Sequence, residues 1–260
     1  MAFAKKSLGQ NFLMHAQTAE RIVAAANVPT GATVLEIGPG TGMLTRALLD
    51  AGLWVIAVEA DGALLPTLEE AFTSEIGEGR LRLVHADIRA FDASNLPAQY
   101  HVVANIPYYI TGELIRMFLS GAHKPRSMTL LVQKEVAERI TRDPKGSLLS
   151  IAVKAYGTPI YRFTVPRGAF KPAPTVDSAV LHIQGISGDS FASLEEEAWF
   201  FEVLRTGFGH KRKQLAKNLE ALAPRHAVLD ALRACSRSEK VRAEDLSLHD
   251  WIALARSLRA

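Results

Sequence analysis

The chain has little of what several kinds of chemistry require. It has a single cysteine, Cys235, so an intrachain disulfide is excluded and a cysteine-based metal site has no ligands. Its eight histidines are scattered, with no HxxxH or HExxH pair, which removes the common zinc-enzyme spacing. No apolar run approaches the roughly 20 residues of a membrane span. The start, Met1-Ala2-Phe3-Ala4-Lys5-Lys6, lacks the apolar stretch of a secretory signal. Neither sign of charge dominates, and the formal net charge is +3. These absences predict a cytoplasmic protein with no metal and no membrane segment. What remains is ample apolar material: 48% of 260 residues are hydrophobic, enough for one large domain, or for a large and a small one.

The small positive excess is unevenly spread. Val203 to Leu219 holds Arg205, Lys211, Arg212, Lys213 and Lys217 with no acid, and the first nineteen residues hold Lys5 and Lys6 with no acid. Local basic patches on a near-neutral body suggest focused phosphate contacts, here through Lys5, Lys6, Lys211, Arg212 and Lys213. A solvated helix face carries the same pattern.

Strands are predicted near 33–37, 54–58, 81–85, 101–105 and 128–132, with helices near 43–51, 62–73, 112–120, 133–142 and 147–156. That alternation predicts a doubly wound, Rossmann-like α/β sheet. Ser178 to Ile183 reads as a further strand, placed at an antiparallel edge. Pro166 to Pro174 reads as a stiff extended loop, and residues 1–14 as irregular apart from their charge. Gly185-Ile186-Ser187-Gly188-Asp189-Ser190 has linker composition. About four helices follow it. The predicted domains are therefore 1–186, a catalytic domain, and 187–260, a small all-helical domain.

Two motifs carry chemistry. In Val34-Leu35-Glu36-Ile37-Gly38-Pro39-Gly40-Thr41-Gly42, an apolar run ends in glycines and a helix pattern follows, which is the first half of a βαβ unit. A dinucleotide fingerprint needs glycine at position 43, where the chain has Met43. The acid at Glu36 points instead to S-adenosylmethionine, a ligand with a sulfonium, an amino acid moiety and an adenosine. Glu59 ends the next apolar run, near the offset at which a carboxylate accepts from ribose hydroxyls. Asp87 ends the third, placed to accept from an adenine amine, to cap the following turn, or both. Glu36, Gly38, Gly40, Glu59, Asp87 and Asn105 are thus the candidate cofactor residues from the sheet.

The second motif is Asn105-Ile106-Pro107-Tyr108, directly after the apolar Val102-Val103-Ala104. An exocyclic amine on a base is a poor nucleophile because its lone pair is delocalised into the ring. Acceptors on Asn105 and on the neighbouring backbone would hold its two N–H groups, Pro107 would fix the turn, and Tyr108 would stack on the base. A strand end with a turn proline and a core tyrosine looks the same over four residues. The order Gly38, Glu59, Asp87, Asn105 at successive strand ends favours a ligand site.

Taken together, the motifs resemble the KsgA-type small-subunit ribosomal RNA adenine N6,N6-dimethyltransferases over nearly the whole chain. Lys6-Ser7-Leu8-Gly9-Gln10-Asn11-Phe12-Leu13 resembles the family's entry signature, and Leu131 to Arg139 and Phe170 to Val180 resemble two further blocks. The resemblance implies S-adenosylmethionine as methyl donor. It implies two adjacent adenines near the 3′ end of 16S rRNA, in free RNA or an immature small subunit, as acceptors, and a role in subunit biogenesis. It adds Asn11 and Leu13 to the cofactor contacts and Phe170 as a second stacking face, with Asn105, Ile106, Pro107 and Tyr108 around the flipped base. A monomer is expected.

Ile106 and Gly112 depart from the usual pattern. Small-subunit members usually carry leucine where this chain has Ile106, and isoleucine is more typical of the large-subunit enzymes that confer macrolide resistance. Gly209 to Leu215 and Ala243 to Ser247 fit the small-subunit enzymes better. The large-subunit reading and a non-catalytic ribosome assembly factor stand as alternatives.

Overall fold

The computed structural model describes residues 10–259; the predicted phosphate contacts Lys5 and Lys6 lie outside the described residues. In chain order the elements are β1 (Phe12–Leu13), α1 (Ala16–Ala26), β2 (Thr33–Ile37), α2 (Met43–Asp50), β3 (Trp54–Glu59), α3 (Leu65–Ala71), α4 (Thr73–Gly77), β4 (Leu81–His85), β5 (Tyr100–Asn105) and α5 (Thr111–Ser120). They continue with β6 (Ser127–Gln133), α6 (Lys134–Thr141), α7 (Leu148–Tyr156), β7 (Thr158–Val165), β8 (Phe170–Lys171), β9 (Ser178–Gln184), α8 (Leu194–Gly207), α9 (Leu215–Leu219), α10 (Arg225–Ala234) and α11 (Leu248–Arg259). No helix among the described residues is long and apolar enough to cross a membrane.

Seven strands form one sheet in the order β4-β3-β2-β5-β6-β9-β7. The first five are parallel, and β9 and β7 join antiparallel. Helices on both faces explain why β2 and β5 read as almost continuous apolar runs: a strand covered on both sides has no wet face. The chain leaves β2 toward β3 and β4, then returns to β5 on the other side of β2. The crevice at that reversal is where open α/β sheets hold ligands. On one face, Ala19, Ile22 and Ala26 of α1 are buried at helical spacing against a core that includes Val103, Leu131 and Val180.

Two expectations are corrected. The strand at 178–184 is interior, paired on both sides, and the edge strand is β7, which periodicity did not reveal. Thr158-Pro159-Ile160-Tyr161-Arg162-Phe163-Thr164-Val165 has strand composition, but Pro159 and a register shift between Tyr161 and Phe163 break its alternation. Both features are tolerated on an edge. The stretch predicted to be irregular contains β1, which pairs with β8 inside the loop predicted to be merely extended. A two-residue strand leaves no period to read.

The chain divides into two compact units, Met1–Glu138 with Thr158–Ile186, and Arg139–Gly157 with Ser187–Ala260. Residues 139–157, grouped by sequence with the first domain, thus belong to the second unit. The physical reason lies in α7: Ile151 and Ala155 share a core with Phe200, Val203, Leu215, Val228, Leu232 and Trp251. In that helical unit Gly207 of α8 faces the Trp251 ring so closely that any side chain there would collide with it.

Candidate active site

The cavity at the C-terminal ends of β2, β3, β4 and β5 gathers the predicted residues. Asn11, Leu13, Glu36, Gly38, Gly40, Glu59, Asp87, Asn105, Ile106, Pro107 and Tyr108 all line it. Phe170 does not line it. It is 4% exposed, opposite Leu13 in the β1–β8 pair, and belongs to the core. Its ring anchors the strap that holds the entry segment and is not a stacking face here.

The glycine loop is built by close approach. Gly40 has φ +60°, and a Cβ there would come within 2.9 Å of the Phe12 ring, so β1 lies directly on the loop. The Gly40 N–H donates to Glu59 Oε2 at 3.1 Å, and the Asp61 N–H donates to Oε1 at 2.8 Å. Glu59 therefore braces both the loop and the turn after β3. Each of its oxygens keeps a second lone pair for a ligand donor.

Glu36 is 1% exposed. The Thr45 hydroxyl donates to its Oε2 at 2.7 Å, and Oε1 has no hydrogen-bond partner. Burial pushes its carboxyl up to about 8, the Thr45 hydrogen bond works against that rise, and nearby Glu59 adds to it. A buried carboxyl with one unsatisfied oxygen on a cavity wall is a receptor for a cation or an N–H donor. Asp87 caps the 3₁₀ turn Ile88–Ala90 through the Arg89 N–H at 2.9 Å. Arg89 Nε also donates to it at 3.0 Å, and Arg89 Nη2 at 2.5 Å. These bonds hold its carboxyl below the usual carboxylate range.

At the end of β5 the Asn105 side chain is oriented unambiguously. Its Nδ2 donates to the Asn11 carbonyl at 2.9 Å. A carbonyl cannot face the amide oxygen, so Oδ1 is the end left toward an incoming N–H. Pro107 has φ −57° and ψ 134°, and its carbonyl accepts from Ile110 N–H at 3.2 Å. That turn sets the direction of Tyr108, whose hydroxyl lies 2.6 Å from Ser178 Oγ. Desolvation raises the Tyr108 phenol above its ordinary value. Ile106 is 2% exposed and anchors the turn in the core.

Among the cavity residues not singled out from sequence are the polar Gln10, Arg89 and Tyr109. Gln10 Nε2 donates to Asp61 Oδ2 at 3.4 Å. The doubled aromatic Tyr108-Tyr109 was the available signal for Tyr109. Gln10 lies in the entry-signature block, and Arg89 carries no signal outside the fold.

A family model described as ribosomal RNA adenine dimethylase matches residues 1–259. The chain belongs to that family. It is an rRNA adenine dimethyltransferase. Among curated relatives of this dimethyltransferase, the ribosomal RNA small subunit methyltransferase A of Dehalococcoides mccartyi is 40% identical over 257 residues, covering 95% of this chain and 86% of that one. The protein of the same name from Thermosynechococcus vestitus is 39% identical, covering 100% and 98%. The solved structure of a dimethyladenosine transferase from Plasmodium falciparum superposes with TM-score 0.79 at 27% identity, covering 94% of this chain and 95% of that one. That of the 23S rRNA methyltransferase ErmE gives 0.78 at 26%, covering 96% and 100%.

In the second unit of this dimethyltransferase, Lys211, Arg212 and Lys213 are exposed in the turn between α8 and α9 rather than along a helix. Buried Asn218 fixes that turn, donating to the carbonyls of Gly207 at 2.6 Å and His210 at 3.2 Å.

Proposed function

We propose that this enzyme transfers methyl groups from S-adenosylmethionine to N6 of two adjacent adenines near the 3′ end of small-subunit rRNA. The observation that carries the amine chemistry is Asn105, whose Nδ2 is taken by the Asn11 carbonyl, which leaves the amide oxygen as its acceptor next to the Ile106-Pro107 backbone. The small-subunit assignment is supported by full-length relatives named for that subunit at about 40% identity, against 26% for ErmE. Ile106 in place of leucine conserves volume in a buried site.

The donor set fits S-adenosylmethionine. Glu36 Oε1 suits the cation or ammonium of its amino acid moiety, Glu59 its ribose hydroxyls, and Asp87 its adenine amine. At Gly40, under the Phe12 ring, the loop has room for backbone alone. When bound, the cofactor supplies an activated methyl group. The protein's own work is positioning. Target adenine leaves its stack for the slot, with Tyr108 against its face. Asn105 Oδ1 and the Ile106 carbonyl accept hydrogen bonds from its N6–H groups, and orientation supplies the acceleration without a strong base. Lys211, Arg212 and Lys213 contact phosphates; neutralising all three should flatten the salt dependence of RNA binding, and an unchanged slope would remove that role.

The test is transfer of labelled methyl to undermethylated small subunits and, in parallel, to large-subunit rRNA. Dimethyladenosine on the small subunit alone is the expected result. Label on large-subunit RNA would move the enzyme to the macrolide-resistance branch and make Ile106 a specificity residue. Absence of label on both would leave an assembly factor.

A further inference from the structure

Tyr109 is the one ring of its turn that points away from the protein. In Tyr108–Ile110, Ile110 is 8% exposed and Tyr108 is half-buried, whereas Tyr109 is 64% exposed and still lines the cavity. A side chain that exposed contributes little to the core, and a lone surface aromatic would need no explanation. Its position gives one. It directly follows the residue placed against the target base, and the 3₁₀ turn fixes its backbone. Arg89 lines the same cavity. A wet aromatic face and a guanidinium on the wall of one cavity are the combination that holds a base and its phosphate.

We propose that Tyr109 is the stacking platform for the nucleotide next to the target adenine, and so a determinant of RNA substrate recognition. The proposal rests on the RNA adenine reading above. When one base enters the slot, its neighbour loses a stacking partner, and the Tyr109 ring replaces it. Arg89 faces Asp87 through Nε and Nη2, and a guanidinium has five N–H donors, so others remain for the phosphate between the two nucleotides.

The test compares full-length wild type with Tyr109→Phe, Tyr109→Leu and Tyr109→Ala on undermethylated small subunits. Steady-state methylation, cofactor affinity by calorimetry and thermal melting are measured on each. Base–aromatic stacking is worth about 1–3 kcal/mol, so the Ala and Leu variants should lose about tenfold or more in kcat/KM, mainly through KM for RNA. Tyr109→Phe should stay within about twofold, and cofactor affinity and melting should be unchanged throughout. An Ala variant within twofold of wild type overturns the proposal, as does a Leu variant that matches Phe, because apolar cover rather than a π-face would then suffice. A wild type that labels only large-subunit RNA would refute the small-subunit reading; the same comparison on that RNA then judges Tyr109 by the same criteria.

Discussion

The amide nitrogen of Asn105 donates to the backbone carbonyl of Asn11 at 2.9 Å, across 94 residues of sequence. The entry segment thereby sets which end of the Asn105 amide donates and which is left to accept, the end proposed to meet the substrate amine. Asn105→Ala should lower methyl transfer by about 100-fold or more, in the range seen when one preorganised polar group is removed from a reacting centre, while cofactor affinity falls less than tenfold. Asn105→Asp should be equally inactive, because a carboxylate cannot donate to Asn11. Near-normal turnover by either variant would end this mechanism.

Tyr108 and Ser178 share one hydrogen bond at 2.6 Å, and Ser178 is fully buried. Tyr108→Phe should therefore separate stability from activity. Loss of the partner should cost about 1–2 kcal/mol in urea unfolding, with methylation reduced only a few-fold because the stacking proposed for Tyr108 uses its ring. A double-mutant cycle with Ser178→Ala checks the pairing. A collapse of activity in Tyr108→Phe at unchanged stability would assign the hydroxyl a chemical role.

The carboxyl of Glu36, pushed up to about 8 by burial, gives a pH signature. Its folded value lies above the ordinary 4.5, so its contribution to stability is whole below about pH 4.5 and is lost as pH rises toward 8. Glu36→Gln keeps an acceptor for Thr45 and removes the buried charge. It should unfold at higher urea than wild type at pH 8.5 and match it near pH 4.5. Wild-type affinity for S-adenosylmethionine should rise between pH 7 and 8.5 as the carboxylate forms, and the Gln variant should show a flatter profile. Parallel profiles for the two proteins would detach Glu36 from the ligand.

His182, paired with Thr129 at 2.9 Å inside the sheet, gives the opposite limb. Burial first, then the charges of Arg162 and His101, lower it from 6.5 to about 4. The folded state resists the proton, so its contribution is whole above about pH 6.5 and is lost as pH falls toward 4, by up to about 3 kcal/mol. His182→Asn, which keeps a partner for Thr129, should show a shallower loss of stability between those values. An identical acid limb would show that His182 takes up its proton in the folded protein at the ordinary value.

Much of the fold was legible locally. The interior parallel strands β2, β5 and β6 announced themselves as apolar runs because they are covered on both faces, and Gly38, Gly40 and Gly42 marked the loop because all three hold positive φ. The edge strand β7 and the β1–β8 strap were not legible. A bulged edge has no clean alternation, and a two-residue pair is defined only by a partner about 160 residues away. The same distance explains Phe170: its composition suits a stacking ring, and only its pairing opposite Leu13 turns it into the core.

The chemistry on offer is written locally in the chain: Glu36, Glu59, Asp87 and Asn105, each at or near the end of an apolar run, with Pro107 and Tyr108 beyond. Residue type and local period suffice for that, since backbone sterics and burial act over a few residues. The tertiary structure alone decided orientation. It laid Phe12 on Gly40, left Oε1 of Glu36 without a partner, tied Tyr108 to Ser178, and turned the Asn105 amide by means of Asn11. Those relations join segments far apart in the chain, and only the packed sheet, through long-range burial and hydrogen bonding, brings them within reach.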